Sequence, residues 1–335
     1  MHDMSTQYAL QAIFDISIGI SLHDVSKDHE SSFVEAMDFV FAHLADRLMA
    51  KPYYRYFWWC MPSEYEIRRS EQVIINLVDD ILRHRLQETD QEIKPRSDIM
   101  SLFIKKERKL TEEEQGGGGR NSVLSIETFR SIFMTFLSAG KGCTLYTLSL
   151  YPDVQQKLYD EMPEQLKRSQ HITYNDLKGF EYLNAVANKT MRLYPAFPSS
   201  FKVAVQDDCL PDGTFIPAGA KVAYCPWHMG RNNPVFRSSG DVLEFKPERW
   251  LEMKTWPSAY DHPAFLAGPR ICIGMNMVLI EVKVFVAVMV HHFEIAIQKG
   301  EKMEDRGYIL SPTLVMDGGL PLHMAPRLTL AATAQ

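Results

Sequence analysis

One ten-residue run concentrates the residue types that could do chemistry: Phe265-Leu266-Ala267-Gly268-Pro269-Arg270-Ile271-Cys272-Ile273-Gly274. Its cysteine lies just before a strongly apolar, helix-prone stretch that starts near Met275. Free amide N–H groups and the dipole at the start of a helix favour a thiolate over a thiol. The thiolate is the form of cysteine that binds a metal. Gly268 and Gly274 permit tight turns and close backbone approach, which a side chain would hinder. Arg270 carries a planar fork of N–H donors suited to a carboxylate. A cysteine simply packed at a helix start is the plainer reading of Cys272 taken alone.

The elements that must hold this run are mostly helical. Apolar residues recur at helical spacing in 6–20 (Ala9, Ala12, Ile13, Ile16), in 30–50, in 64–88 and in 97–106. Ser125 can cap a further apolar helix over about 126–150, with Glu127 in its first turn. Two more are expected over 153–162 and 174–193, the second closed by Tyr194-Pro195. Between 200 and 225 the pattern changes to short β-prone runs broken by Pro211-Asp212-Gly213 and Pro217-Ala218-Gly219. A loop-rich stretch over 227–274 leads to a helix over 275–292 and a weakly alternating tail that reads as a small hairpin. The expected fold class is mainly α with a small segregated β region. The aromatic run at 52–62 reads as core packing, with contact to a membrane as the lesser reading.

With 335 residues, 46% of them apolar, the chain can bury a large core. A net charge of -6 argues against nucleic acid as a partner, because phosphate binding calls for a basic face. Five cysteines, an odd number with no close pair, make neither a disulfide framework nor a four-cysteine zinc site. No HExxH pair, G-x-S-x-G elbow or GxGxxG loop is present. The four glycines at 116–119 lack the GK[ST] ending of a phosphate loop and read as part of a solvated linker. Residues 275–290 are interrupted by Glu281 and Lys283, so the stretch reads as a core helix rather than a membrane span. No signal peptide is visible at the start.

The ten-residue run fits the signature F-x-x-G-x-R-x-C-x-G at every specified position and so resembles the haem-binding loop of the cytochromes P450. At ordinary residue frequencies such a match arises by chance on the order of once in ten thousand chains of this length, which sets the plainer reading aside. Other segments resemble the same family: PDVQQKLYDEM, LNAVANKTMRLYPAFP (its K helix), LPDGTFIPAGAKVAYCPWHMGR and FKPERWL. The wording is nearest the eukaryotic branch associated with fatty-acid hydroxylation. The resemblance implies heme b as cofactor, with Cys272 as the iron ligand and Phe265, Gly268, Arg270 and Gly274 holding the porphyrin. It places Ala139, Gly140, Ser199, Ser200 and Thr313 near an apolar substrate. It implies a monooxygenase fed by NADPH–cytochrome P450 reductase, at the endoplasmic reticulum membrane in full-length relatives; this chain alone is expected to be soluble or peripheral.

Three departures qualify that expectation. The opening residues resemble the family's helix E, so a single domain over 1–335 is expected that lacks its N-terminal third. Within it, 1–110 is the region of helices E to H and 111–125 a linker. The central and K helices span 126–195, the sheet and loops 196–264, the haem loop with its helix 265–293, and a hairpin region 294–335. Secondly, the family's Glu-x-x-Arg and its distant arginine partner become Lys189, Arg192 and Arg249, three cations with no acid. Lys189 then either swings to solvent or finds Glu248. Thirdly, Ala139-Gly140-Lys141 runs straight into Gly142-Cys143-Thr144, as though about seven residues, or two helical turns, were absent. The family's acid and threonine go with them, leaving Thr144 and Cys143 as candidate replacements. A haem protein that rearranges peroxides, or a fragment without turnover, is the alternative these departures leave.

Overall fold

The computed structural model describes residues 61–96, 143–167, 175–236, 241–301, 307–309, 314–317 and 321–327, with scattered positions in 11–43 and 98–108. Of the helix expected over 126–150 the part up to 142, the glycine linker, and residues 52–60 of the aromatic run at 52–62 lie outside the described residues, as do Ala139, Gly140, Lys141, Gly142 and Thr313. The chain divides into two compact units, His2–Lys141 and Gly142–Gln335.

In the first unit, α1 (Pro62–Gln87) starts on a proline at its first turn, where the missing N–H costs nothing. Ile67, Ile74, Val78, Ile81 and Leu82 form its buried stripe. Thr89 and Glu92 close a capping box on the short α2 (Asp90–Ile93), an element the sequence periodicity did not suggest. The end of α1 is fixed by Arg85, which is fully buried and donates to Glu88, to Asp98 Oδ1 at 3.0 Å and to Ser101 Oγ at 2.5 Å.

The second unit runs α3 (Cys143–Leu150), α4 (Pro152–Glu161), α5 (Glu164–Lys167) and α6 (Glu181–Leu193). The helix expected from 174 breaks at Phe180 (ψ 86°), separating a 3-10 turn over Asp176–Gly179 from α6. Four short strands follow: β1 (Ser200–Val203), β2 (Asp208–Cys209), β3 (Phe215–Ile216) and β4 (Lys221–Tyr224). They pair antiparallel as β1 with β4 and β2 with β3, with Ser200 opposite Tyr224 and Asp208 opposite Ile216. The stretch read as loop contains two helices, α7 (Pro226–Asn232) and α8 (Glu248–Glu252). Next come α9 (Met275–His292), with the expected bounds, and β5 (Phe293–Ile297), β6 (Tyr308–Ile309), β7 (Val315–Met316) and β8 (Leu322–Pro326). The tail hairpin is β5 against β8.

The core of this unit sits between α4, α6 and the second half of α9: Val154, Leu158, Leu183, Val186, Val286 and Val290 pack together. By length and composition α9 could cross a membrane, but its second half is buried in this core. Two polar clamps hold the frame. The Gln155 amide donates to and accepts from the backbone of Ile295 (3.0 and 2.8 Å), locking α4 to β5. The Glu161 carboxylate accepts the N–H groups of Tyr182 and Leu183 at 2.7 and 3.0 Å. That supplies the cap which α6 lacks from its own side chains and sets the helix carrying Lys189 and Arg192.

Candidate functional site

The Phe265–Gly274 run folds back on itself. A 3-10 turn at Pro263–Phe265 ends in Leu266 with φ 64°, and a second turn at Gly268–Arg270 starts from Gly268 with φ +71°. Left-handed backbone is routine for glycine but strained for leucine, a cost that the surrounding contacts must offset. The return is closed by the Cys272 N–H donating to the Phe265 carbonyl at 2.8 Å, and by Ile271 N–H to Gly268 at 3.0 Å. Cys272 therefore arrives, half-buried, just before the 18-residue α9. Gly274 occupies the N-cap with no side-chain cap, and no acidic residue sits in the first turn. The positive end of the helix is thus left for the sulfur to use. Ile271 and Ile273 on either side point outward, Ile273 being 89% exposed.

The surroundings fit a flat apolar group with carboxylate arms. Phe265 is half-buried beside the turn, and Arg270 is exposed. Met275, Met277, Val278, Leu279 and Ile280 are apolar yet only partly buried, so the first half of α9 presents a face that such a group would cover. Ser199 and Ser200 lie at the start of β1; Leu314, next to the undescribed Thr313, donates its N–H to the carbonyl of Ala196 at 2.8 Å. Thr144 is half-buried in the first turn of α3, which Cys143 begins.

Lys189, Arg192 and Arg249 do come together in the interior, at 0%, 2% and 4% exposure. Lys189 does not reach solvent, and Glu248 does not serve it: that carboxylate accepts from Lys157 Nζ at 2.6 Å and from the Tyr182 hydroxyl at 3.1 Å. Both sequence expectations fail because α6 points Lys189 inward while α8 turns Glu248 towards α4. Arg192 donates to the carbonyls of Gly230 and Val242 and lies over the Phe236 ring. Arg249 gives Nη2 to Glu244 at 2.9 Å, while its Nε and Nη1 are buried without an acceptor, as is Lys189 Nζ. Burial first, then Arg192 and Arg249, push the Lys189 amine down to about 6.

Two further groups escaped the sequence reading. His262 packs its ring against Trp250 and Phe236, with Nε2 lacking a partner; burial, helped by Arg192, drops it to about 4. In sequence it looks like a loop histidine, and nothing local marks it as enclosed. Glu281, seen only as a charge interrupting α9, has Oε1 buried without a partner and is raised by burial to about 7.

Residues 1–314 match the family model described as Cytochrome P450. The chain is similar to cytochrome P450 CYP94D109 of Paris polyphylla, at 31% identity over 68% of this chain and 50% of that protein. It is also similar to cytochrome P450 704C1 of Pinus taeda, at 28% identity over 98% of this chain and 67% of that one. Among solved structures it superposes on a mutant cytochrome P450DA heme domain with a TM-score of 0.73 and 20% identity. That alignment covers 97% of this chain and 67% of the other, a likeness of fold: mainly helical with small sheets. The chain thus spans about half the length of the Paris polyphylla protein and two thirds of the Pinus taeda one.

Proposed function

This chain belongs to the cytochrome P450 family, and on that premise we propose that it is a haem-thiolate monooxygenase of apolar, fatty-acid-like substrates with Cys272 as the iron ligand. The observation that carries the reading is the closed Phe265–Cys272 turn, which sets a half-buried cysteine at the uncapped start of an apolar helix. When bound, a thiolate-ligated haem supplies the cleavage of the O–O bond and the insertion of one oxygen atom.

The chain's own residues then have distinct tasks. Cys272, half-buried just before the uncapped start of α9, is the residue whose sulfur would ligate the iron. Gly268 keeps the backbone low enough for close approach; a Cβ there would meet the Tyr260 hydroxyl at 3.2 Å. Arg270, exposed at the loop tip, pairs with a propionate. Phe265 shields the sulfur from water. The partly buried apolar residues in the first half of α9 would pack against the ring. Ser199 and Ser200, with Ala139, Gly140 and Thr313, border the substrate, as the family resemblance implies. Electrons come from NADPH–cytochrome P450 reductase docking over the face that bears Arg270, at the endoplasmic reticulum membrane.

The test is the carbon-monoxide difference spectrum of the chain expressed with haem and then reduced. A red-shifted Soret band, lost in Cys272→Ser, is expected, followed by NADPH-dependent hydroxylation of a fatty acid in the presence of reductase. Folded protein that takes up no haem overturns the reading. Turnover of a lipid hydroperoxide without reductase, in place of hydroxylation, replaces the monooxygenase with a peroxide-rearranging enzyme.

A further inference from the structure

The cluster around Lys189 is short of an acid. Its amine is fully buried with no acceptor, and Arg192 and Arg249 lie within electrostatic reach. Two N–H groups of Arg249, Nε and Nη1, are likewise buried without acceptors. The carboxylates that act on Lys189 are Glu244 and Asp241. Glu244 is already engaged by Arg249 Nη2, and Asp241 accepts the Leu243 N–H at 2.9 Å. The other charged groups near Arg192 are Arg231 and the neutral ring of His262. Buried donors left unpaired are costly, and an amine and two guanidinium N–H groups without acceptors call for an anion among them.

We propose that Lys189 is a carboxylation site: its amine adds dissolved carbon dioxide to become a carbamate, whose negative charge is held by the unpaired N–H groups of Arg249, with the Arg192 guanidinium nearby. The nitrogen lone pair forms an N–C bond to the carbon, one C=O π bond opens to an oxyanion, and one N–H proton leaves to solvent. Nothing is oxidised or reduced. A fully buried amine beside two cations and without an acceptor is held unprotonated at neutral pH and is therefore nucleophilic. Carbon dioxide suits the enclosure because it is small and uncharged, so it enters without the desolvation cost that keeps chloride or phosphate out. The product changes a would-be third cation into an anion and gives the free Arg249 N–H groups an acceptor. Acid reverses the addition, since protonating the nitrogen expels carbon dioxide.

The full chain is equilibrated with 13C-bicarbonate at mildly alkaline pH and its 13C spectrum recorded beside those of Lys189→Arg and Lys189→Glu. The arginine cannot form a carbamate, whereas the glutamate keeps a carboxylate beside the same guanidiniums and preserves the fold. A carbamate resonance of about one per chain is expected in the wild type and absent from both variants. Bicarbonate at constant ionic strength is expected to raise the thermal midpoint of the wild type and leave that of Lys189→Glu unmoved. No carbamate resonance in the folded wild type overturns the proposal, and so does a resonance of equal intensity in both variants, which belongs to another amine.

Discussion

Arg85 and Lys189 are both long cationic side chains with no exposed surface, one in each unit of the molecule. Arg85 meets two carboxylates and a hydroxyl through its terminal nitrogens: Glu88, Asp98 and Ser101 all accept from them, Asp98 also accepts the Ser101 N–H at 2.8 Å, and only Nε is buried without an acceptor. Lys189 meets two guanidiniums and no acceptor. The difference teaches that burial of charge is tolerable or costly according to its partners, not its depth. A buried cation with matched acceptors is held charged, and stranding its partners costs much; one among like charges gives up its proton instead.

The sharpest way to break the comparison is to remove the cation that has carboxylate partners. Arg85→Met leaves Asp98 buried without its guanidinium, while Glu88 retains Arg96 at 3.2 Å. We expect a loss of about 3–5 kcal/mol in the His2–Lys141 unit, read by hydrogen exchange of peptides from α1 and residues 98–102. Lys189→Met, measured in buffer free of carbon dioxide, acts in the opposite sense. Deleting an amine without an acceptor is expected to stabilise the Gly142–Gln335 unit by about 1–4 kcal/mol, read by exchange of peptides from α6.

The same contrast has a pH signature. Lys189 lies near 6 in the fold, against 10.5 when unburied. Between those values the unfolded chain binds the extra proton, so stability rises with pH across that window, by about 1.4 kcal/mol per unit at most. Below about 6 the lysine contributes no further slope. Denaturant midpoints at successive pH values check this, and Lys189→Met should flatten the slope. Glu281 acts with the other sign and more weakly. Its carboxyl is near 7 in the fold against 4.5 outside, so the fold binds the extra proton and stability falls as pH rises from 4.5 to 7. Glu281→Gln should remove that fall, by a smaller margin because the group is only partly buried. Smallest of all is the surface pair Lys157–Glu248, 54% and 27% exposed, whose loss in Lys157→Met should leave the denaturant midpoint almost unmoved.

Much of the fold was legible where local pattern and burial agree. Helix α9 begins where its apolar run does, and the two Pro-Gly turns separate β2 from β3 and β3 from β4. Helix α7 was not legible, because Pro226, Gly230 and Asn232 all read as loop residues. Pro226 stands at the first turn, where a proline is harmless, and Gly230 is required because a Cβ there would strike the Arg192 carbonyl. The break at Phe180 was hidden for a similar reason: the periodicity of 174–193 continues across it, and the Glu161 clamp on Tyr182 and Leu183 comes from another helix.

The sequence by itself determined the cysteine-bearing loop, since a tight turn, a helix start and a thiol are local properties of consecutive residues. It also determined that Lys189 and Arg192 share a helical face, three residues apart. Only the tertiary structure decided that this face turns inward, that Glu248 is spent on Lys157 and Tyr182, and that Arg249 arrives with two N–H groups unmet. Whether a charge is paired depends on side chains brought from distant positions along the chain, and burial then fixes the price of leaving it alone.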